Sequence, residues 1–361
     1  MRVKMTKSEF DSLSYVDAGV DVAAAESTVK AFSEIAMKTM RPEVLSGVGP
    51  FAGLFNLPTG FQEPVLVASA DGVGTKILIA TALDRFDSVG ADLVNHCVND
   101  ILTVGARPLF FMDYLATADL SQSQRIDIVS GVGSACAQQN VALLGGETAD
   151  MPDMYRSGDF DLAGFIVGIV DRSKIIDGKK INIGDVLVAL PSSGLQTNGY
   201  SLVRKIWSLG KGLGSDHDKQ ILQKKFPLLN RSLGDELLAT HQSFLPDLDT
   251  YLEEIHGIAH ITGGGIGGNL SRLFEHDKSN GMYAWIDTGS WEIPNIFKVI
   301  QEAGSVADSE MFGAFNMGVG IIVVVKEVVA QKIISEVEGS WLVGEIRKAE
   351  SQQKSVEGLP E

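Results

Sequence analysis

The sequence predicts an α/β or α+β protein of two domains, and three observations support this fold class. The chain has 361 residues, which is more than a single hydrophobic core usually organises. Its 45% apolar and 21% charged residues are typical of a globular protein with an ample core. In both halves, short apolar runs rich in β-branched residues alternate with longer helix-like segments, which is the pattern of layered α/β folds.

A polar stretch around residues 171–174 separates the two halves, and the alternating pattern restarts at residue 186. We therefore expect one domain over residues 1–172, a second over 173–350, and a flexible tail over 351–361. In the first domain the pattern predicts strands at 65–69, 109–115, 141–144 and 162–170, and helices at 88–105 and 121–140. In the second it predicts strands at 186–190, 258–261, 321–325 and 341–346, helices at 200–209, 245–255, 294–303 and 328–337, and a polar loop at 210–220.

Charge and cysteine content exclude several classes of protein. A formal net charge of −16 disfavours binding to nucleic acid or to an anionic membrane surface. No apolar run is long enough to span a bilayer, and the first residues do not resemble a secretion signal. The two cysteines, Cys97 and Cys136, give neither a disulfide framework nor zinc-site spacing, so we expect them in the core. These observations together predict a cytoplasmic protein.

The stretch "ASADGVGTK" at residues 68–76 follows a predicted buried strand. Gly72 and Gly74 allow backbone N–H groups to approach a ligand closely, and such loops bind anions. The spacing is not that of a P-loop, and the leading Asp71 indicates a metal held against a phosphate, with Thr75 and Lys76 beside it. An ordinary Asp-Gly turn is the alternative interpretation of this window.

A second carboxylate lies on the predicted helix 88–105. Asp100 is at the margin between the apolar face and the polar stripe, where it can leave the core and meet a ligand; Asn99 precedes it. The alternative is a solvated Asn-Asp pair. His96 is four residues before Asp100, so we interpret this histidine as a local ion-pair partner rather than as a metal ligand.

A third carboxylate, Glu147, follows the strand "VALL" and the pair Gly145 and Gly146. These glycines allow a sharp turn that would bring Glu147 to the edge of a sheet, where α/β proteins usually bind ligands. Oxygen ligands without cysteine or histidine suit Mg²⁺ bound with phosphates and water. We therefore predict that Asp71, Asp100 and Glu147 converge on one magnesium ion.

These sites lie within motifs that resemble a known family. The segments "SYVDAGVDV", "DGVGTK", "PLFFMDYLAT", "GGETADMPDMY", "NGYSLVRK", "AHITGGG" and "FNMGVG" resemble, in order, those of aminoimidazole ribonucleotide synthetase, also called phosphoribosylformylglycinamidine cyclo-ligase. The resemblance implies that ATP activates the amide oxygen of formylglycinamidine ribonucleotide in purine biosynthesis, and that an internal nitrogen closes the imidazole ring with release of ADP and phosphate. It also implies Mg²⁺ and a homodimer, in which N-terminal strands of two subunits form a barrel-like core and the C-terminal α/β domain covers the site.

The resemblance implies roles for the residues of the first domain. Asp71, Asp100 and Glu147 would hold Mg²⁺ against ATP with Asn99 orienting them, and Lys76 would balance the charge of the γ-phosphate. The remaining nucleotide contacts would come from Gly72, Gly74, Thr75, Gly145 and Gly146. The glycine-rich segment 46–55 is similar to a family loop that lies over the substrate region, with a surface turn as the alternative.

In the second domain, two matching segments would close on the nucleotide substrate, one of them with a glycine-rich turn opening a helix at 267–274 whose amides can receive a phosphate. They contain Asn198, Gly199, Tyr200, Ser201, Thr262, Gly263, Gly264 and Gly265. The chain departs from the family pattern at Gln196, Thr197, Gln242 and Gly268, and an arginine expected within residues 240–244 is missing. These departures leave an alternative open, a related ATP- and Mg²⁺-dependent kinase-like enzyme acting on a different amide or phosphate acceptor.

Overall fold

The computed structural model describes residues 22–46, 48–210, 215–274, 281–350 and 353–361. The first domain contains four helices and four strands among these residues. In chain order they are α1 (Val22–Met37), β1 (Pro64–Gly72), α2 (Ile77–Leu83), α3 (Asp87–Leu102), β2 (Arg107–Thr117), α4 (Gln122–Gln138), β3 (Ala142–Asp150) and β4 (Phe160–Asp171). The expected α/β class is confirmed, and each strand and helix predicted for this domain is present with shifted ends.

The strands of the first domain form one mixed sheet in the order β1-β4-β2-β3. Strand β4 pairs antiparallel with both β1 and β2, whereas β2 and β3 are parallel. Helices α3 and α4 cross closely, because a Cβ at Gly90 would lie 2.1 Å from the carbonyl oxygen of Ile128. A side chain at either glycine of this crossing, Gly90 or Gly131, would force the helices apart.

The second domain contains eight helices and six strands among the described residues. They are β5 (Val186–Pro191), α5 (Tyr200–Trp207), α6 (Ser215–Leu222), α7 (Leu233–Leu237), α8 (Leu245–Leu248), β6 (Gly257–His260), α9 (Gly265–Ser271), β7 (Met282–Ile286), α10 (Asn295–Gly304), α11 (Asp308–Ala314), β8 (Val319–Val325), α12 (Glu327–Glu336), β9 (Trp341–Lys348) and β10 (Val356–Glu357). The sheet order is β10-β7-β9-β5-β8-β6, and β10 pairs parallel with β7 while the other pairs are antiparallel. Strand β8 is buried along its whole length and forms part of the core. Cys97 and Cys136 of the first domain are also buried in the core, as expected.

Three expectations about the second domain are corrected. The predicted helix 245–255 is the single turn α8 followed by a 3-10 helix at Asp249–Tyr251. Part of the predicted loop 210–220 is helical in α6, and strand β7 was not predicted. The predicted flexible tail contains β10, and Leu359 packs against the core, because the chain end adds a strand to the open edge of β7.

In the described part of the chain, none of the helices combines the length and the hydropathy needed to cross a bilayer.

Candidate functional site

The first part of the candidate site is a pair of carboxylates joined through a histidine. Asp71 lies at the end of β1 and Asp100 in the last turn of α3, and His96 is one helical turn before Asp100. The Nε2 atom of His96 donates to Asp71 Oδ2 at 2.8 Å and lies 3.8 Å from Asp100 Oδ2. One possible metal-ligand atom from each of these three side chains lies within 4.8 Å of the others, so Asp71 and Asp100 lie close together at one end of the sheet.

Hydrogen bonds keep both carboxylates ionised. Burial alone would raise the pKa of Asp71, but the hydrogen bond and charge of His96 outweigh it and lower the pKa. Burial likewise opposes ionisation of Asp100, and the hydrogen bond from His260 together with the charge of His96 lowers its pKa. Ser69 on β1 also donates to Asp100 Oδ2 at 3.0 Å. Anionic oxygens are what a hard divalent cation requires.

Three histidines form a cluster behind these carboxylates. His96 lies on α3, His241 in the segment before α8, and His260 at the end of β6, and their ring centroids are 5.0–5.2 Å apart. Thr197 Oγ1 lies 2.8 Å from His96 Nδ1 and 3.2 Å from His241 Nδ1. His260 Nδ1 is 3.0 Å from Asp100 Oδ1. The cluster therefore joins the two domains and reaches both carboxylates.

A cavity of about 470 Å³ opens beside Asp100, between the two domains. Its wall includes Ser69 on the first domain and His260, Thr262 and Arg272 on the second. This volume lies within the range that holds a small-molecule ligand. The wall combines carboxylate, hydroxyl, imidazole and guanidinium groups, so it can bind a polar, charged molecule.

Glu147 does not join Asp71 and Asp100, and this part of the prediction is wrong. Along the sheet, Asp71 is in register with Gly164, Gly164 with Asp113, and Asp113 with Gly146. Three strand spacings separate β1 from β3, or about 14 Å at about 4.8 Å each. Glu147 follows Gly146, so it also points to the opposite face of the sheet from Asp71, because side chains alternate along a strand.

Gly145, Gly146 and Glu147 instead line a second cavity, of about 770 Å³, on the first domain. Residues 48–53 of the glycine-rich segment line it as well; Gly47 lies outside the described residues. Asp113 also lines this cavity, and burial raises the pKa of its carboxyl to about 7. A Cβ at Gly146 would lie 2.1 Å from Asp113 Oδ1, so glycine leaves the space that this carboxyl occupies.

Lys76 does not face either cavity, which contradicts its predicted place beside the γ-phosphate. The side chain is fully buried and its amine lies 2.7 Å from Asp92 Oδ2 on α3. The amine also donates to the carbonyl oxygens of Gln196 at 3.2 Å and Ala239 at 2.7 Å. Burial is the larger influence on both charged groups: it lowers the pKa of Lys76 and raises that of Asp92. Lys76 therefore connects the domains.

Asn99 also serves the domain junction rather than the carboxylates. It is fully buried, and its amide donates to Gln242 O at 2.8 Å and to His241 Nε2 at 3.1 Å. Its Oδ1 accepts the backbone N–H of Phe244 at 2.9 Å. The predicted role of orienting Asp71 and Asp100 is not supported, because every polar atom of this side chain is engaged by the segment 241–244.

The loop after β1 is accessible to a ligand. Gly72 N–H donates to Asp71 Oδ1 at 2.6 Å. Gly74 has a φ of +68° and open space around it, a conformation that favours glycine. Thr75 Oγ1 lies 3.4 Å from Ser201 Oγ of the second domain. Gly74, Thr75 and the exposed Ser201 therefore remain accessible next to Asp71.

The other predicted substrate residues divide into accessible and structural positions. Tyr200 is buried and its hydroxyl donates to the carbonyls of Gln196 and Leu237, so it does not reach a ligand. Gly199 has a φ of +81° where it precedes α5, and Asn198 Oδ1 lies close to Gly263. Gly199 and Asn198 thus shape the loop that begins α5.

The glycine turn before α9 is shaped by packing against α11. A Cβ at Gly265 would lie 1.7 Å from the carbonyl oxygen of Phe312, and Gly264 has a φ of +95°. Thr262 lines the interdomain cavity. The predicted phosphate-binding helix 267–274 is the seven-residue α9, which begins earlier, at Gly265.

Sequence reasoning did not identify the cluster that His241 and His260 form with His96, nor the buried position of Asp92. His241 is 142 positions from its partner Asn99 and His260 is 160 positions from its partner Asp100, so local spacing could not reveal the cluster. Asp92 lies on a polar stripe of α3, and a polar stripe on a helix usually faces solvent. The sequence does contain a signal for Asp92, because a polar stripe on an otherwise apolar helix can also form a buried polar contact with another domain.

Comparisons with known proteins identify the family of the chain. Residues 53–170 match the family model "AIR synthase related protein, N-terminal domain", and residues 182–356 match "AIR synthase related protein, C-terminal domain". A phosphoribosylformylglycinamidine cyclo-ligase of Geotalea daltonii is 45% identical over 352 residues, which cover 96% of this chain and 98% of the relative. One from Coxiella burnetii is 44% identical over 358 residues, covering 96% and 97%.

Solved structures with the same fold are more distant in sequence. The hydrogenase maturation protein HypE in complex with ATP has a TM-score of 0.59 and 15% identity, covering 87% of this chain and 84% of that one. Thiamine-monophosphate kinase from Stenotrophomonas maltophilia K279a has a TM-score of 0.57 and 18% identity, covering 90% and 93%. At these identities the likeness establishes a shared fold.

Proposed function

The chain belongs to the AIR synthase family, and from this premise we propose that it acts as a phosphoribosylformylglycinamidine cyclo-ligase. It would close the imidazole ring of aminoimidazole ribonucleotide by forming a C–N bond, after ATP has activated the amide oxygen of formylglycinamidine ribonucleotide. The observation that carries the proposal is similarity of 44–45% along nearly the whole chain to cyclo-ligases. The paired carboxylates beside an interdomain cavity supply a place for the reaction.

We propose that Asp71 and Asp100 bind Mg²⁺ together with the phosphates of ATP. The fit is supported by two partly exposed carboxylates, 43% and 27% in side-chain exposure, within reach of one ion. Two carboxylates completed by phosphates and water match the preference of this ion. When bound, Mg²⁺ supplies neutralisation of the charge that develops on the transferred phosphoryl group.

The chain's own groups position the reactants. Backbone N–H groups of the open loop at Gly74 and Thr75 would bind a phosphate next to Asp71. His96 and His260 hold the two carboxylates in place by hydrogen bonds. Arg272, at the wall of the same cavity, provides a guanidinium that can pair with the phosphate of a ribonucleotide. The position of the cavity between the two domains would limit access of water to the activated amide.

The experiment is a reaction with purified protein, ATP, MgCl₂ and formylglycinamidine ribonucleotide, following both ADP and the imidazole product. We expect both products in equal amounts. Asp100→Asn should lower turnover by about 10², with thermal unfolding close to that of the wild type. Asp308→Asn, an exposed aspartate on α11, is the matched control and should keep full activity.

The outcomes separate the proposals. Imidazole formation supports the cyclo-ligase. ADP release that requires some other amide or phosphate acceptor would instead support the kinase-like alternative, which the departures at Gln196, Thr197, Gln242 and Gly268 keep open. Full activity of Asp100→Asn would remove the assignment of this carboxylate to Mg²⁺.

We further propose that the protein is a cytoplasmic homodimer built through the sheet of the first domain. The support is an apolar patch on the sheet face opposite to α3, where Leu66, Met112 and Phe165 are 56%, 39% and 45% exposed. Strands β1 and β3 are the edges of this sheet in the described chain, and open edges favour pairing with a second copy. Sedimentation equilibrium should report a dimer for the wild type and a monomer for Phe165→Asp; a monomeric wild type would refute the proposal.

A further inference from the structure

The orientation of the Asn99 amide fixes the tautomer of His241 in the buried cluster. Because Phe244 N–H donates to Asn99 Oδ1 at 2.9 Å, the amide nitrogen faces Gln242 O and His241 Nε2. An N–H directed at His241 Nε2 requires a lone pair on that nitrogen. The proton of this neutral ring is then on Nδ1, which donates to Thr197 Oγ1 at 3.2 Å.

His260 directs a lone pair at the lone pair on His241 Nε2. Its Nδ1 faces the Asp100 carboxylate at 3.0 Å, so the ring proton is on Nδ1 and the neutral ring has its lone pair on Nε2. The Nε2 atoms of His260 and His241 are 3.2 Å apart. Two acceptors at this distance repel each other unless a cation or a proton lies between them.

The spacing of the cluster fits a metal ion. Two nitrogens bound at about 2.1 Å to a tetrahedral ion lie about 3.4 Å apart, and the centroids of their imidazole rings lie about 5.2 Å apart. The three ring centroids here are 5.1, 5.0 and 5.2 Å apart. One nitrogen from each of His96, His241 and His260 lies within 4.8 Å of the other two, so small side-chain movements would complete a three-histidine site.

We propose that His96, His241 and His260 bind one divalent transition-metal ion of the Zn²⁺ or Co²⁺ type, distinct in chemistry from the Mg²⁺ proposed at the carboxylates. Neutral imidazole is a preferred ligand of these ions, whereas Mg²⁺ prefers oxygen. Binding exchanges two hydrogen bonds for coordinate bonds: the one from Asn99 to His241, and one of the two that the His96 ring makes with Asp71 and Thr197. Asn99 keeps its bond to Gln242 O.

The surroundings of the cluster favour a cation. His260 and His241 each direct their other nitrogen to an oxygen, of Asp100 and Thr197, which is the arrangement that orients histidine ligands in metal sites. The charged groups acting on the three rings are the carboxylates of Asp71, Asp92 and Asp100 and the ammonium of Lys76. When no ion is bound to Asp71 and Asp100, these carboxylates outnumber the ammonium group, so the local field favours a cation at the rings.

The position of the cluster would let the ion enter from the interdomain cavity and connect the two domains. His260 and Asp100 line the interdomain cavity, so an ion can enter from there. His96 belongs to the first domain and the other two ligands to the second, so the ion would connect the domains.

The test is titration of the full-length, chelator-treated protein with CoCl₂, without ATP or substrate. We expect about one Co²⁺ per chain, a visible absorption band of a tetrahedral or five-coordinate ion, and a higher unfolding temperature with the metal. Excess MgCl₂ should not displace it. His241→Gln and His260→Gln should each weaken Co²⁺ binding at least about tenfold, and His217→Gln, on α6 outside the cluster, should not.

X-ray absorption of the wild-type complex keeps the proposal testable if the variants fail to fold. Three imidazole nitrogens around the ion support it, and oxygen ligands alone would overturn it. Absence of Co²⁺ and Zn²⁺ binding by the wild type, or equal affinity in both cluster variants, would also overturn it; a proton shared by His241 and His260 would then be the occupant of this position. Since ATP and substrate are absent from the assay, its result is independent of the cyclo-ligase test.

Discussion

Replacing Lys76 by methionine would remove the ammonium from the junction of the two domains while keeping a similar side-chain volume. The carboxylate of Asp92 would then remain buried, and among the described residues the backbone N–H of His241, at 2.6 Å, would be its remaining hydrogen-bond donor. The carbonyl groups of Gln196 and Ala239 would lose a charged donor as well. The variant therefore isolates the energy of one buried ion pair and its two supporting hydrogen bonds.

The expected magnitude follows from these contacts. Deleting one partner of a buried ion pair costs about 3–5 kcal/mol, and each abandoned carbonyl adds about 1 kcal/mol. Protonation of Asp92 would recover part of this loss, because burial already raises the pKa of its carboxyl. We expect the free energy of unfolding to fall by about 4 kcal/mol.

Urea denaturation followed by circular dichroism measures this change. Arg85→Met is the matched control, because its ion pair with Asp235 also joins the domains but is 48% and 41% exposed; it should cost at most about 1 kcal/mol. Adding Asp92→Asn to Lys76→Met should restore about 2 kcal/mol or more, since no buried charge then remains. A loss for Lys76→Met no greater than that for Arg85→Met would refute the structural role of this lysine.

Two further predictions concern the first domain. Gly90→Ala should lower the free energy of unfolding by about 1–3 kcal/mol, because the added Cβ would meet the carbonyl oxygen of Ile128. The control is Gly313→Ala on α11, where a Cβ has open space, and it should raise the free energy of unfolding by up to about 1 kcal/mol. Equal urea midpoints for the two variants would contradict the close helix crossing. Burial raises the pKa of folded Asp113 to about 7, whereas the unfolded carboxyl has the ordinary pKa of 3.8. The folded state therefore binds more protons between these two pH values, and stability should fall as pH rises through them. Denaturation from pH 4 to 8 should show a shallower decline for Asp113→Asn, and parallel curves would count against the raised pKa.

The parts of the site that the sequence predicted are those set by single elements. Asp71 ends a strand and Asp100 lies near the end of the helix packed on that strand, so their meeting follows from two adjacent elements. Glu147 was misplaced because its position depends on strand order and register, and β3 is the far edge of the sheet. A one-residue difference in register also decides which face a side chain occupies, and local sequence does not specify that register.

Lys76 and Asn99 were misassigned for a related reason. Both occur in segments with strong ligand-binding patterns, but their partners lie in the second domain, at residues 196, 239 and 241–244. A buried lysine requires a partner, and Asp92 could not be identified as that partner without the packing of α3. The elements themselves were predictable from periodicity, whereas the contacts between domains depend on tertiary structure.

The polar character of the junction along α3 has a consequence for how the two domains recognise each other. Apolar surfaces tolerate sliding, because their attraction has little directional preference. Asp92, Asn95 and Asn99 instead bond to particular backbone groups between 241 and 244, and a displacement of a few ångströms would break all of these bonds at once. The two halves of the chain therefore have one strongly preferred mutual arrangement, which fixes the dimensions of the cleft between them before any ligand arrives.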